Sequence, residues 1–363
     1  MVRFGHLGLV HLWEEPVFEA RDNACLTIDS STPGVRVITP LLPPGLKSEE
    51  IAATQQALLD QYLKDAKVHK FIAWYYTPMV LKFSSHLKPI LTVYDCMDEL
   101  SAFQSAPPEL LELEQRLFAK ADVVFAGGAS LYASKCTQHE NVHLFPSSID
   151  YAHFAAARQG LDDPSDQKDI PHPRIGFCGV LDERLDQDLL RALASLHPEW
   201  NLILIGPVVK IRRDDLPNNA NLHYLNQKNY SELPAYLAHW DVAMLPFALN
   251  SSTRFISPTK TPEYLAAGRP VVSTPIQDVV NPYEKLGLVR IGAGVHEFGD
   301  AIEACLCDRS EDRLARVDLF LAGNSWDKTF DGMWHEIRQC MTQALRQASH
   351  EAIDFNVGEH ANV

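Results

Sequence analysis

The chain is short of what several protein classes require. No apolar run approaches the roughly 18 residues that a membrane-spanning helix needs. The opening residues Met1 to His6 lead into a short apolar run that stops at Trp13-Glu14-Glu15, so no signal peptide is expected. Positive charge is scarce. Lys and Arg number 32 against 47 Asp and Glu, a formal net charge of −15, and no domain-sized stretch is basic. That disfavours a nucleic-acid binder, whose grip depends on phosphate neutralisation. A single nucleotide stays open, because it needs only a few placed cations and backbone N–H groups. Seven cysteines (25, 96, 136, 178, 305, 307, 340) form no CxxC pair, and Cys305 and Cys307 lie too close together for a zinc site without a matching His pair. Reduced thiols in a cytoplasmic protein, and no metal site, are expected. Among 15 His none forms a triad arrangement with Ser and Asp, and His6, His143 and His153 are read as structural. The 18 Gly and 23 Pro are too scattered for a collagenous or low-complexity chain.

What the chain does have is alternation. At 363 residues, 46% hydrophobic, it fits two ordinary domains. Short apolar runs predict strands at 35–39 (ending at Pro40), 70–75, 89–94 (stopped by Asp95), 122–126 and 142–145. Helical periods fall between them, as at 48–63 and 109–121. A polar stretch, 159–173, closed by Pro171 and Pro173, reads as a linker. Beyond it the alternation restarts, with strands at 174–179, 200–206, 222–225, 241–246, 270–273 and 288–291. Helices are expected at 186–196, 230–239 and 262–267 and then to about Gln347, with 351–363 frayed. This is the pattern of an α/β protein with parallel sheets covered on both faces. Two such units predict two Rossmann-like lobes facing across a cleft: residues 1–158 and 174–322, with 323–350 a late helix. Ligands in open α/β sheets bind beyond the carboxyl ends of strands, so each post-strand loop is a candidate.

The most informative segment is Arg254-Phe255-Ile256-Ser257-Pro258-Thr259-Lys260-Thr261-Pro262-Glu263, followed by Tyr264-Leu265-Ala266-Ala267-Gly268-Arg269-Pro270-Val271-Val272. Residues 257–261 precede and open a helix, where free N–H groups and the helix dipole favour an anion, and Lys260 adds a full charge. The combination suits a diphosphate. Glu263 lies about one turn in, where a carboxylate can accept two hydrogen bonds from a ribose diol. An ordinary capped helix with a surface lysine explains the same spacing equally well.

This segment resembles the donor-site helix of GT-B glycosyltransferases, the group 1 or family 4-like kind. It is similar in particular to the variant found in bacterial surface-polysaccharide transferases. The likeness extends to Trp240–Phe247 as the strand before the site, to Phe145-Pro146-Ser147-Ser148-Ile149-Asp150 with Phe154 as the end of the first lobe, to Gly176–Gly179 as the first strand and turn of the second, and to Asn324-Ser325-Trp326 as the start of a helix returning to the first lobe. The resemblance implies that Glu263 holds the donor ribose and that Thr259 and Lys260, with Ser257, hold its phosphates. It implies a basic phosphate ligand near Arg184; Lys210, after a strand, is the other cationic candidate. Residues 227–230, with Gln227 and Tyr230, would flank the base. Solvated surface charges and a plain loop are the bland alternatives for these positions.

Two departures stand out. The family pattern has a second Glu eight residues before the ribose Glu, and position 255 is Phe here. The first strand–helix unit reads as shortened or absent, which implies an open sheet edge or a damaged acceptor pocket. An acceptor hydroxyl needs a carboxylate or His to take its proton. Among Asp95, Asp98 and Glu99, Asp95 is the first choice, with helix capping as its alternative role. Gly127-Gly128 and Ser130 follow a strand and either admit close backbone approach or only make a tight turn, while Ser147 and Ser148 either face the cleft or, as hydroxyls at a turn usually do, bond locally.

The expected function is therefore metal-independent transfer of a sugar from a nucleotide-diphosphosugar to a glycan or lipid-linked hydroxyl, with Lys260 and Asp95 as catalytic residues and no cofactor besides the donor. A non-catalytic nucleotide-sugar-binding or assembly subunit is the alternative. A nucleotide-sugar epimerase would need more cleft acids than can be assembled. No basic amphipathic helix argues for membrane docking, although a lipid-linked acceptor would place the protein at the inner membrane face.

Overall fold

The computed structural model describes residues 1–308, 310 and 312–359, with 344–359 as backbone only. The chain divides into two compact units, one of residues 1–95, 108–124 and 330 onward, the other of 96–107 and 125–329.

The elements run α1 (Val2–Gly5), β1 (Val10–Trp13), β2 (Val17–Phe18), β3 (Cys25–Asp29), β4 (Val35–Leu42), α2 (Ser48–Asp65), β5 (Ile72–Tyr75), α3 (Leu81–Ser84), β6 (Leu91–Cys96), α4 (Leu110–Lys120) and β7 (Val123–Ala126). They continue with α5 (Ala129–Lys135), β8 (Val142–Leu144), α6 (Tyr151–Ala155), β9 (Arg174–Cys178), α7 (Gln187–Leu196), β10 (Asn201–Ile205), β11 (Leu222–Tyr224), α8 (Leu233–Ala238) and β12 (Val242–Leu245). The last are α9 (Lys260–Ala266), β13 (Val271–Ser273), α10 (Gln277–Val279), β14 (Arg290–Ile291), α11 (Val295–Cys307), α12 (Asp312–Leu321) and α13 (Trp326–Glu359).

In the first unit β4 is the hub of a small sheet. It pairs in parallel with β1 (Leu12 opposite Val37) and β2 (Val17 opposite Leu41), and antiparallel with β3 (Ile28 opposite Ile38). The strand passes through Pro40 instead of ending there. On one edge Pro40 falls between the end of β1, opposite Ile38, and the start of β2, opposite Leu41, so its missing N–H costs no bond on that side. A first strand is present, but β2 and β3 occupy the place of a helix between β1 and β4. The β5–β6 pair is parallel, with Ile72 opposite Leu91, in a sheet of order β5-β6-β7-β8. Strand β6 also runs further than expected: Asp95 and Cys96 are inside it, and all six residues are buried. Phe330 and Trp334 of α13 stack edge-on against Phe4 at 4.8 and 6.1 Å. That helix continues to Glu359, past the expected end near Gln347; of the tail expected to fray, 360–363 lie outside the described residues.

The second unit is built on a six-stranded sheet of order β11-β10-β9-β12-β13-β14. Every pairing is parallel, with Leu202 opposite Ile175, Ala243 opposite Gly176 and Met244 opposite Val272. Uninterrupted apolar runs form these strands because both faces are covered; β12 is buried throughout. Helix α7 is capped by Asp186, which accepts the Leu189 N–H at 2.9 Å, and buries Leu189, Leu190, Leu193 and Ala194. Each such leucine contributes about 1.5–3 kcal/mol. The strand order reverses beside β9, the arrangement of a dinucleotide-binding sheet, so the ligand crevice is expected where β9 and β12 end. The stretch read as a linker is anchored at both its buried and its charged residues. Gln167 is fully buried, accepts from the Trp240 indole at 2.9 Å and donates to the Tyr236 carbonyl, while Asp163 pairs with buried Arg174 at 2.6 Å.

Candidate functional site

At the carboxyl ends of β9, β10 and β12 lies a cavity of about 460 Å³. All its walls belong to the second unit. Phe177, Cys178 and Gly179 follow β9, Ile205 and Gly206 follow β10, Phe247 follows β12, and Ile256 to Lys260 lead into α9. Met97, Asp98, Gly127 and Ser147 complete it. Two glycines permit this shape. Gly206 has φ +150°, and a Cβ there would sit 1.8 Å from the Gly179 carbonyl oxygen. A Cβ on Gly128 would sit 2.4 Å from Asp278 Oδ2 and 2.9 Å from Ser257 Cβ. Side chains at either position would force the loops apart. Tyr264 locks α9 onto β9, accepting the Cys178 N–H at 2.7 Å and donating to its carbonyl at 3.1 Å.

Three cations line the cavity, Arg184, Lys228 and Lys260, and Lys228 is held by Asp166. Lys260 Nζ is 3.0 Å from Glu263 Oε2, with side chains 25% and 14% exposed, so the pair is shielded from water. Burial pushes the Glu263 carboxyl up, and Lys260 pulls it partly back. Arg184 forks onto Asp182, with Nη2 to Oδ2 at 2.7 Å, and its guanidinium lies 5.6 Å from the Phe103 ring centroid. Hydrogen bonding to Asp182 strengthens its hold on its proton. Asp98 is the carboxylate on the wall; burial raises it, and Arg184 opposes that rise.

The structure thus brings Arg184, Gln227, Ser257, Thr259 and Lys260 onto one cavity, with Glu263 bonded to Lys260 just behind. Lys210 and Tyr230 are not on that wall. The Lys210 backbone turns at φ +65°, and its amine engages Glu183 at 3.4 Å and the Phe103 ring at 5.1 Å. Tyr230 starts a 3-10 turn and stacks on His153 at 4.2 Å. Asp95 sits within β6 at 4% exposure, accepting from the Trp74 indole at 3.1 Å, and burial raises it to about 7. It is neither beyond the strand nor a helix cap; Asp98, three residues on, faces the cavity. The two serines divide: Ser147 lines the cavity, whereas Ser148 is buried and bonds Asn324, far along the chain rather than locally. Phe103, braced between Arg184 and Lys210, and Asp278, which accepts the Ser130 N–H at 2.9 Å, escaped sequence reasoning. Their partners lie too far away along the chain to leave a local pattern. Among the described residues no cluster of three His, Cys, Asp or Glu is placed to hold a metal ion.

Residues 172–308 match the family model described as glycosyl transferases group 1. That stretch carries Arg184, Lys260 and Glu263. A Bacillus subtilis protein named as the teichuronic acid biosynthesis glycosyltransferase TuaH is 26% identical over 221 residues, covering 55% of this chain and 54% of that protein. The match therefore spans about half the length of that relative. Among solved structures, sucrose-phosphate synthase from Thermosynechococcus elongatus aligns with TM-score 0.71 at 16% identity over 94% of this chain and 91% of its own. An Escherichia coli trehalose-6-phosphate structure bound with UDP-2-fluoro glucose aligns with TM-score 0.64 at 15% identity over 95% and 94%. These likenesses establish the GT-B fold.

Proposed function

We propose that the protein transfers a sugar from a nucleotide-diphosphosugar to a hydroxyl of a glycan or lipid-linked acceptor in polysaccharide synthesis. The observation that carries this reading is the convergence of Arg184 and Lys260 on one cavity at the sheet's reversal point, with Glu263 beside them. Arg184 and Lys260 take the diphosphate, with Ser257 and Thr259 supplying further donors. As the glycosidic bond breaks, negative charge grows on the leaving diphosphate, and fixed cations in a shielded site stabilise that charge most. Lys260 then trades part of its contact with Glu263 for phosphate, leaving the Glu263 carboxylate for the ribose hydroxyls. Asp98 is the wall carboxylate placed to receive the acceptor proton. Residues 174–322 form the donor side and 1–158 the acceptor side. The bound UDP-sugar analogue of the E. coli relative makes UDP the first nucleotide to try.

We read the transfer as metal-independent, with Arg184 and Lys260 taking the part a divalent ion would play. The test is UDP-glucose hydrolysis without acceptor, run with and without EDTA. Slow release of UDP that EDTA leaves unchanged is expected; abolition by EDTA and recovery with magnesium would overturn the metal-free reading. A non-catalytic nucleotide-sugar-binding subunit is favoured by one observation, Phe255 in place of the family's carboxylate. Binding of UDP-glucose with no release of UDP under any condition would select it. No helix among the described residues is long and apolar enough to cross a membrane; action on a lipid-linked acceptor would be at a membrane face.

A further inference from the structure

Beside the donor cavity is a second one, of about 500 Å³, within the usual range of about 300–1,000 Å³ for small-molecule sites. We infer that it is a subsite for an acceptor sugar carrying an anionic substituent, a carboxylate or a phosphate. This rests on the transferase reading above. Its walls include Leu249, Ser251, Arg254, Phe255, Ile276 and Gln277.

Three observations carry the inference. The first is position. Thr253–Phe255 line this cavity and the next residues, Ile256–Lys260, line the donor cavity; Ala102 lines this one, and Met97 and Asp98 the other. The same two segments therefore flank both sites, and an occupant of the second lies next to the donor. The second is construction. The Asn250 side-chain oxygen accepts from Ser252 N, Ser252 Oγ and Thr253 N at 2.9, 2.7 and 3.2 Å, and Thr253 Oγ1 donates to the Ala248 carbonyl, so the 248–253 turn is internally locked. The opposite edge, 275–277, runs into buried Asp278, pinned on Ser130 N at 2.9 Å. The site is preformed rather than a gap between loose loops.

The third is chemistry. Phe255 supplies an aromatic face of the kind that packs on the C–H surface of a pyranose. The hydroxyl of Ser251, the guanidinium of Arg254 and the amide of Gln277 make no side-chain hydrogen bonds among the described residues, so donors remain for hydroxyls. Arg254 lies 5.0 Å from the Phe255 ring centroid, and it is the one charged residue of the lining. In a chain of net charge −15, a cavity holding one cation and no acid selects an anion.

The test uses the full chain. Binding of glucuronic acid, glucose 6-phosphate and glucose is followed by saturation-transfer NMR in the presence of UDP, with UDP affinity measured separately by calorimetry. At least one acidic sugar should bind about tenfold or more tightly than glucose. Arg254→Gln should erase that preference while leaving UDP affinity unchanged, and Phe255→Ala should weaken all three sugars. Whichever acidic sugar wins identifies the anion as carboxylate or phosphate. Equal binding of glucose, a preference surviving Arg254→Gln, or binding of UDP without any sugar would overturn the subsite. Acidic-sugar preference in a protein that does not bind UDP would keep the subsite and remove the transferase reading.

Discussion

At the scale of single residues, two aspartates three positions apart have different fates. Asp98 shares the cavity wall with Arg184 and Lys260. Asp98→Asn should lower kcat for transfer by about 100-fold, the usual contribution of a proton-transfer group, with donor KM little changed. Steady-state kinetics at saturating donor checks this; an unaltered kcat would remove Asp98 from the reaction. Asp95 is buried in β6, and its carboxyl is raised to about 7 chiefly by burial. The sign of its effect on stability follows. Between its unfolded value, about 4, and about 7 the folded chain holds the extra proton, so stability falls as pH rises through that window. Asp95→Asn should therefore match the wild type in stability near pH 4 and exceed it at pH 8, by up to a few kcal/mol. Urea melts across this range test it, and a variant less stable at pH 8 would show the carboxylate to be favourably held. The sequence reading chose Asp95 and set it just beyond the strand, because where β6 ends depends on its neighbours: apolar Cys96 lets the strand carry Asp95 inside.

At the scale of elements, the cavity wall depends on how α5, α10 and the start of α9 meet. Asp278 accepts the Ser130 N–H, while Gly128 leaves no room for a Cβ beside Asp278 and Ser257. Gly128→Ala should cost about 1–3 kcal/mol of stability from overpacking and weaken UDP binding several-fold, because Ser257 and Gly127 are cavity residues. Thermal melts and calorimetry on one preparation measure both; an unchanged melt with full UDP affinity would contradict this packing. Elements of this kind were legible unevenly. The strands of the six-stranded sheet show in the sequence as apolar runs, since burial on both faces leaves little room for polar residues. Strands β1 to β3 were not legible, being short and half-exposed, and β4 was cut short at a proline that its edge geometry tolerates. The cavity residues before α9 were legible because they are contiguous. Arg184 was visible only through resemblance, and Phe103 and Asp278 not at all, because their roles come from contacts between distant segments.

At the scale of the whole molecule, one physical idea connects the strand order to the chemistry. A parallel sheet whose order reverses opens a crevice at its carboxyl edge, and this chain points Arg184 and Lys260 into that crevice. An acidic protein of net charge −15 repels polyanions broadly, so on the proposed reading a diphosphate is held by such placed cations rather than by overall field. The stretch 159–173 belongs to the same logic: its buried Gln167 and the Asp163–Arg174 pair fix the base of β9, whose far end forms the cavity. The most direct test of this account is a calorimetric comparison of UDP with uridine on the wild type and on Lys260→Ala. UDP should bind the wild type far more tightly than uridine, and the substitution should weaken UDP by about 10–100-fold, the worth of one charged hydrogen bond, while leaving uridine unaffected. Equal affinities for UDP in the two proteins would contradict it.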